Sequence, residues 1–170
     1  MARSSAQTLV RRSWVVAVLL IALPLAAALL QVARRGPGPL VSGVSVAPLM
    51  ILALMSHLFC DLVGYRMAPV DPTLPPDQAE SEALAAYLKA TVVRYAITMP
   101  VPALGLAASV AIEPSSAQIF LLSVLMATAV RILHVLPTCR AVGRSEAALR
   151  AGGARVDLAA LRHWTRADST

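Results

Sequence analysis

"WVVAVLLIALPLAAALLQVA", residues 14–33, runs for twenty residues with Gln31 as its only strongly polar side chain. An α-helix rises 1.5 Å per residue, so about 20 apolar residues cross a hydrocarbon core of ~30 Å. The stretch therefore reads as a membrane span. Residues 40–62, 91–112 and 117–136 repeat the pattern, and no remaining segment is long enough to form a second domain. The expected fold class is all-α: an integral membrane four-helix bundle with a short amphipathic cytoplasmic helix before the third span. Residues 1–139 form its membrane domain and 140–170 a basic cytoplasmic tail.

The composition agrees with this reading. Hydrophobic residues make up 58% of the 170 and charged residues 14%, and the mean hydropathy is +0.70, well outside the balance of a soluble domain. Aromatic residues are only 4%, so Ala, Leu and Val supply the apolar mass. The preference for Arg over Lys, beside so much Ala, points to a GC-rich bacterial genome.

The net charge of +6 would suggest nucleic acid in a soluble protein. Here it reports topology, because basic residues collect on the cytoplasmic side of membrane proteins. Outside the spans, three basic residues precede residue 14, two lie in 63–90 and six follow residue 136. These eleven fall on one side of a four-span chain, against Arg34 and Arg35 on the other. Both termini are thus expected in the cytoplasm, leaving "RRGPGP" and "EPSS" as short outer loops. The first segment also reads as a secretory signal after Arg11 and Arg12, but its apolar core is long and "QVARRG" is a poor cleavage site.

Pro24, Pro48, Pro100 and Pro102 predict kinks in the spans. Gly43 with Ala47, Gly105 with Ser109 and Ser123 with Ala127 are small residues four apart, a spacing that lets helices approach closely. In the connection 67–90, Asp77 is placed to cap a helix with Glu80 three residues later. Leu84, Tyr87, Leu88, Thr91 and Tyr95 then form a stripe, so an amphipathic lead-in lying at the interface is expected. The tail carries six arginines against three acids and is weakly amphipathic, with a break at Gly152 and Gly153. Attraction to anionic headgroups at the cytoplasmic face is its expected role.

No GxGxxG, P-loop, HExxH or GxSxG pattern occurs, and no catalytic residue, cofactor or metal is assigned. Cys60 and Cys139 both fall near cytoplasmic span ends, where a structural disulfide is disfavoured. The closely spaced cysteine pairs of four-span disulfide-generating oxidoreductases are missing. So is the first-span glutamate of small multidrug transporters.

The polar residues that stand out are at the span ends. His57, Cys60 and Asp61 share a helical face, and His134 comes from the fourth span, a set that includes potential zinc ligands. An unpaired arginine within a span costs ~2.5–3.5 kcal/mol or more, so Arg131 should find a partner. The candidate polar cluster is His57, Asp61, Arg94, Arg131 and His134: Asp61 is expected to pair with Arg131, flanked by both histidines, with Arg94 competing.

"LKATVVRYAITMPVPALGLAASV" (88–110), a short turn, another span and "LPTCRAVGR" (136–144) together resemble the second half of small uncharacterised four-span bacterial membrane proteins. Arg94, Pro137 and Thr138 match their pattern. Met99 stands where those proteins carry Glu, five residues after the arginine. The resemblance implies a four-span fold and no particular activity. A non-catalytic accessory or interaction protein of the bacterial cytoplasmic membrane is expected, with lipid, a membrane protein or a second copy as partner. A small transporter or channel, and a membrane enzyme using the polar cluster, are the alternatives.

Overall fold

The computed structural model describes residues 2–36, 43–111, 116–156 and 158, and these are helical with no strand among them. The elements are α1 (Ala2–Arg35), α2 (Gly43–Leu62), α3 (Pro76–Thr98), α4 (Pro100–Ala111), α5 (Ser116–His134) and α6 (Cys139–Leu149). A single 3₁₀ turn, Arg150–Gly152, follows α6. Residues 37–42 and 112–115, where the outer loops were expected, and the tail from 159 lie outside the described residues, as does the packing around Gly43 in the predicted Gly43–Ala47 pair.

Among the described residues three stretches are long and apolar enough to cross a membrane: Val15–Arg34, Pro76–Ala111 and Ala117–His134. The described apolar part of α2, Val46–Leu62, is shorter, and the beginning of the expected second span lies outside the described residues. The first apolar stretch lies inside a helix that continues back to Ala2. Pro24 and Pro48 are both accommodated within their helices.

The Pro76–Ala111 stretch is divided by its prolines. Pro100 has no N–H to give the Ala96 carbonyl, and the Met99 N–H takes that acceptor instead at 3.2 Å. Helix α4 then restarts with Ala103 N–H donating to Met99 O. At its other end α3 starts from Pro75, with Pro76 as its first residue, so Asp77 lies in the first turn and does not cap. The lead-in runs straight on into the apolar stretch, as expected. Helix α3 runs uninterrupted from Pro76 to Thr98, and its buried stripe is Ala79, Ala83, Tyr87, Ala90, Arg94 and Thr98. Small residues set that stripe, displacing the expected Leu84–Leu88 face, because another element packs closely on it.

Helix α5 is central, touching each of the other five helices. Against α1 it packs Phe120 and Val124 on Ala28, with Leu25 and Leu121 beside them. Against α2 and α4 it packs Ala127 on Ala53 and Val101. Gly105 and Ser109 of α4 and Ser123 and Ala127 of α5 are all buried, as their spacing predicted. A Cβ at Gly105 would fall 1.9 Å from Ser123 Oγ, so the backbones approach as closely as glycine permits.

The most extensive buried apolar cluster lies beyond the bundle. Val142 and Leu149 of α6, with Ala154, Val156 and Leu158, pack on Val70 and on Ala79, Ala83 and Tyr87 of α3. Helix α5 ends at His134 because Pro137 disfavours helix at the residue before it. Thr138 then caps α6, its Oγ1 accepting the Ala141 N–H at 3.2 Å. The Val70 N–H donates to Leu149 O at 3.1 Å, tying the tail to the 63–75 connection. In that connection the Thr73 hydroxyl and N–H both donate to Asp71, holding its carboxyl below the usual value. The first half of the tail is therefore a docked arm, its apolar face already covered.

Candidate functional site

The end of the bundle nearest this arm collects the polar residues. Two consecutive turns of α2 present Ser56, His57, Cys60 and Asp61; α5 contributes Arg131 and His134; α3 contributes Arg94. The structure brings His57, Asp61 and His134 together. His134 Nε2 lies 2.8 Å from His57 Nδ1, and Tyr65 Oη lies 3.2 Å from His134 Nδ1. Asp61 is 4.0 Å from His57 Nε2 and 3.9 Å from His134 Nδ1.

A neutral imidazole donates through one nitrogen and accepts through the other, so the tautomers of the two histidines decide which way the Tyr65–His134–His57 contacts run. At 4.0 and 3.9 Å, Asp61 lies within ion-pair range of His57 Nε2 and His134 Nδ1 but hydrogen-bonds neither.

Asp61 does not pair with Arg131. Its partner is Arg144 of α6, whose Nη1 donates to Asp61 Oδ1. The tight turn at 135–138 carries α6 back beneath α2, and Arg144 reaches a carboxylate that Arg131 faces away from. Side-chain exposures of 25% and 42% for Asp61 and Arg144 place this pair at the surface, so it is worth ~0.2–1 kcal/mol.

The two buried arginines are held by rings and hydroxyls. Arg131 Nε donates to Thr98 Oγ1 at 2.9 Å, Nη2 contacts Met99 Sδ at 3.3 Å, and the guanidinium lies 4.5 Å above the Tyr95 ring. Arg94 donates to Ala90 O and Thr91 Oγ1, and stacks on Tyr65 at 4.5 Å and Tyr87 at 5.4 Å. Both are fully buried, and their Nη1 atoms have no partner among the described residues. The chain has three tyrosines, and all three lie on these guanidiniums. Each such contact contributes ~0.5–2 kcal/mol.

Tyr65 is the residue that sequence reasoning missed most. It stacks on Arg94, lies under the Arg144 guanidinium at 5.1 Å and hydrogen-bonds His134. Its position four residues after Asp61, in a chain so poor in aromatics, was the available signal. Gly64 beside it is equally constrained: a Cβ there would lie 2.5 Å from Arg94 Cγ and 2.7 Å from Cys60 O.

The zinc reading of this cluster does not hold. The two imidazoles bond to each other, and Cys60 turns its thiol to Arg94 O at 3.7 Å. Among the described residues no group of three His, Cys, Asp or Glu could hold a metal ion. Cys60 and Cys139 are both free thiols.

Pairwise replacement tests the geometry. Asp61→Asn with Arg131→Gln should give additive losses of stability, while Asp61→Asn with Arg144→Gln should be less harmful than the sum by about 0.2–1 kcal/mol, measured by thermal unfolding in detergent. Coupling to Arg131 in place of Arg144 would contradict the assignment. Chemically the cluster is a polar lock whose side chains are tied to one another through the Tyr65–His134–His57 contacts and the Asp61–Arg144 pair. No protein-family model, curated protein or solved structure matches this chain.

Proposed function

We propose that the chain is a multi-pass integral protein of a bacterial cytoplasmic membrane that acts without catalysis, through association with membrane proteins or lipid. In this reading α1, α2, the α3–α4 pair and α5 cross the bilayer. Both termini and the α6 arm lie in the cytoplasm.

The observation that carries the non-catalytic reading is the enclosure of Arg94 and Arg131. Residues that a transporter would present to a solute pathway are here covered by the chain's own tyrosines and threonines, with no exposed surface. The faces turned outward are apolar instead. Ile51, Leu54, Phe59 and Leu62 of α2 and Val92, Leu104 and Val110 of α3–α4 are all more than half exposed, which suits lipid or another membrane helix. Only 11% of the α1 apolar window is buried, leaving most of that helix for such contacts.

A small transporter is the second reading, favoured by the titratable row of Tyr65, His134 and His57 in mutual contact, with Asp61 about 4 Å from both imidazoles. Such a row can pass a proton only if its far end opens to water.

Reporter fusions at both ends test the topology. Both should report cytoplasm, because the eleven-to-two distribution of basic residues favours it. A periplasmic signal from either end would overturn the four-span arrangement, and loss of an amino-terminal tag by cleavage near Ala33 would identify a signal peptide. Affinity purification after crosslinking separates the functional readings. A stoichiometric membrane partner or a second copy supports association, and proton uptake abolished by Asp61→Asn supports transport.

A further inference from the structure

Where α2 ends, the 63–70 connection and the face of α3 enclose a cavity of about 260 Å³. It adjoins the polar lock at Gly64, which meets the Arg94 side chain, and its walls are residues from Val63 onward in the connection and those before Arg94 on α3. Its wall changes character along α3. Val63 and Val93, each about 40% exposed, line the end toward the apolar bundle surface. Arg66 and Lys89 come next, and Glu82, two turns further along α3, lines the far end. None of these three charged side chains has an ion-pair partner among the described residues.

We infer that this cavity is a phospholipid site for a headgroup bearing a primary amine, with the phosphate between Arg66 and Lys89 and the ammonium at Glu82. The inference rests on the membrane reading above. In a bilayer a phospholipid presents acyl chain, phosphate and headgroup in that order toward water, and the cavity presents apolar, cationic and acidic residues in the same order. Two cations from separate elements converge on the phosphate level, and charge-assisted hydrogen bonds of this kind are the strong ones. An acid at the outer end disfavours a purely anionic headgroup and gives a primary ammonium an acceptor. A quaternary choline has no N–H to donate.

The test uses the full-length protein, delipidated in an uncharged detergent, with bound lipid counted by native mass spectrometry. Phosphatidylethanolamine should be retained about tenfold better than phosphatidylcholine or phosphatidylglycerol, the ratio that one charge-assisted hydrogen bond supplies. Glu82→Gln should abolish that preference, and Arg66→Gln with Lys89→Gln should weaken retention of all three lipids. Ala86→Trp, which fills the cavity, should displace the lipid without removing a charge, and serves if the double variant does not fold. Equal retention of the three lipids by the unaltered protein would overturn the assignment. So would a preference untouched by Glu82→Gln, or displacement of bound lipid by equimolar phosphoethanolamine, which would mean a soluble ligand. Carbonate extraction of cell membranes tests the membrane reading independently. A chain that stays in the pellet but shows no lipid preference refutes this site alone.

Discussion

Gly105→Leu should leave almost no folded protein, and Gly105→Ala should lower stability by about 1–3 kcal/mol, the usual cost of forcing extra volume into a well-packed contact. The reason lies in a single crossing. A Cβ at Gly105 would stand 1.9 Å from Ser123 Oγ and 2.3 Å from Ser123 Cβ. Rotating the serine relieves the first clash but not the second, because Cβ is fixed by the α5 backbone. Ser123 is also fully buried, with its hydroxyl bonded to Phe120 O at 2.7 Å. Helix α4 would have to move off α5, the helix that every other helix touches. Ser123→Gly in the Gly105→Ala background should recover at least half of the loss, since it returns the space the alanine takes. Thermal unfolding in detergent measures both effects. A Gly105→Ala protein as stable as the parent would show that the helices cross elsewhere.

That crossing was readable in the sequence, because small residues four apart have one main use between apolar helices. The helical class, the apolar stretches near 14–33 and 117–136, and the kink at Pro100 and Pro102 were readable for similar reasons: each depends on local composition. The path of the tail was not. Arg140, Arg144, Arg150 and Arg155 suggested a segment drawn to anionic headgroups, while the residues that decide its place are Val142, Leu149 and Val156, spread among them. Their partners Val70 and Tyr87 lie some sixty to eighty residues earlier, and such pairing leaves no local mark. The same limit hid the true face of α3, where Ala79 and Ala83 are buried because an arm lies against them.

The candidate site was half legible for a related reason. Depth along the bundle can be estimated from position in a span, and it placed His57, Asp61 and His134 at one level. Direction around each helix cannot be read that way. Arg131 and His134, three residues apart, diverge: His134 faces α2 and Arg131 faces Thr98 and Tyr95 of α3. Arg144 supplies the missing cation for Asp61 because Pro137 and Thr138 turn the chain back at once. Among the described residues Arg131 has no carboxylate partner; the side chain at its Nη2 is Met99, and Tyr95 and Thr98 take up the guanidinium.

Leu149→Asp should release the α6 arm while leaving the bundle folded. Leu149 is fully buried among Val70, Tyr87, Val142 and Val156, and its carbonyl accepts the Val70 N–H. A carboxylate there would have no cation within the cluster, and an unpaired buried charge costs several kcal/mol, on the order of 3–5. Undocking avoids that cost, because the arm meets the rest of the chain mainly through this cluster and the exposed Arg144–Asp61 pair. The pair is too weak to hold the arm alone. Trypsin should therefore cut the variant quickly at Arg150 and Arg155 and the parent slowly, with helix content falling by no more than α6 and the 3₁₀ turn. Leu149→Met, which keeps volume and polarity, should behave as the parent. Cleavage of the parent as fast as the variant would show the arm to be undocked in solution. Loss of the whole fold in the variant would show instead that the arm and the bundle form one cooperative unit. The arm also carries Arg144, so its release withdraws the cation from Asp61 and leaves that carboxylate facing His57 and His134 alone. Any ligand or partner that lifts α6 from α3 would alter the charge around the histidine pair in the same way, without touching either histidine.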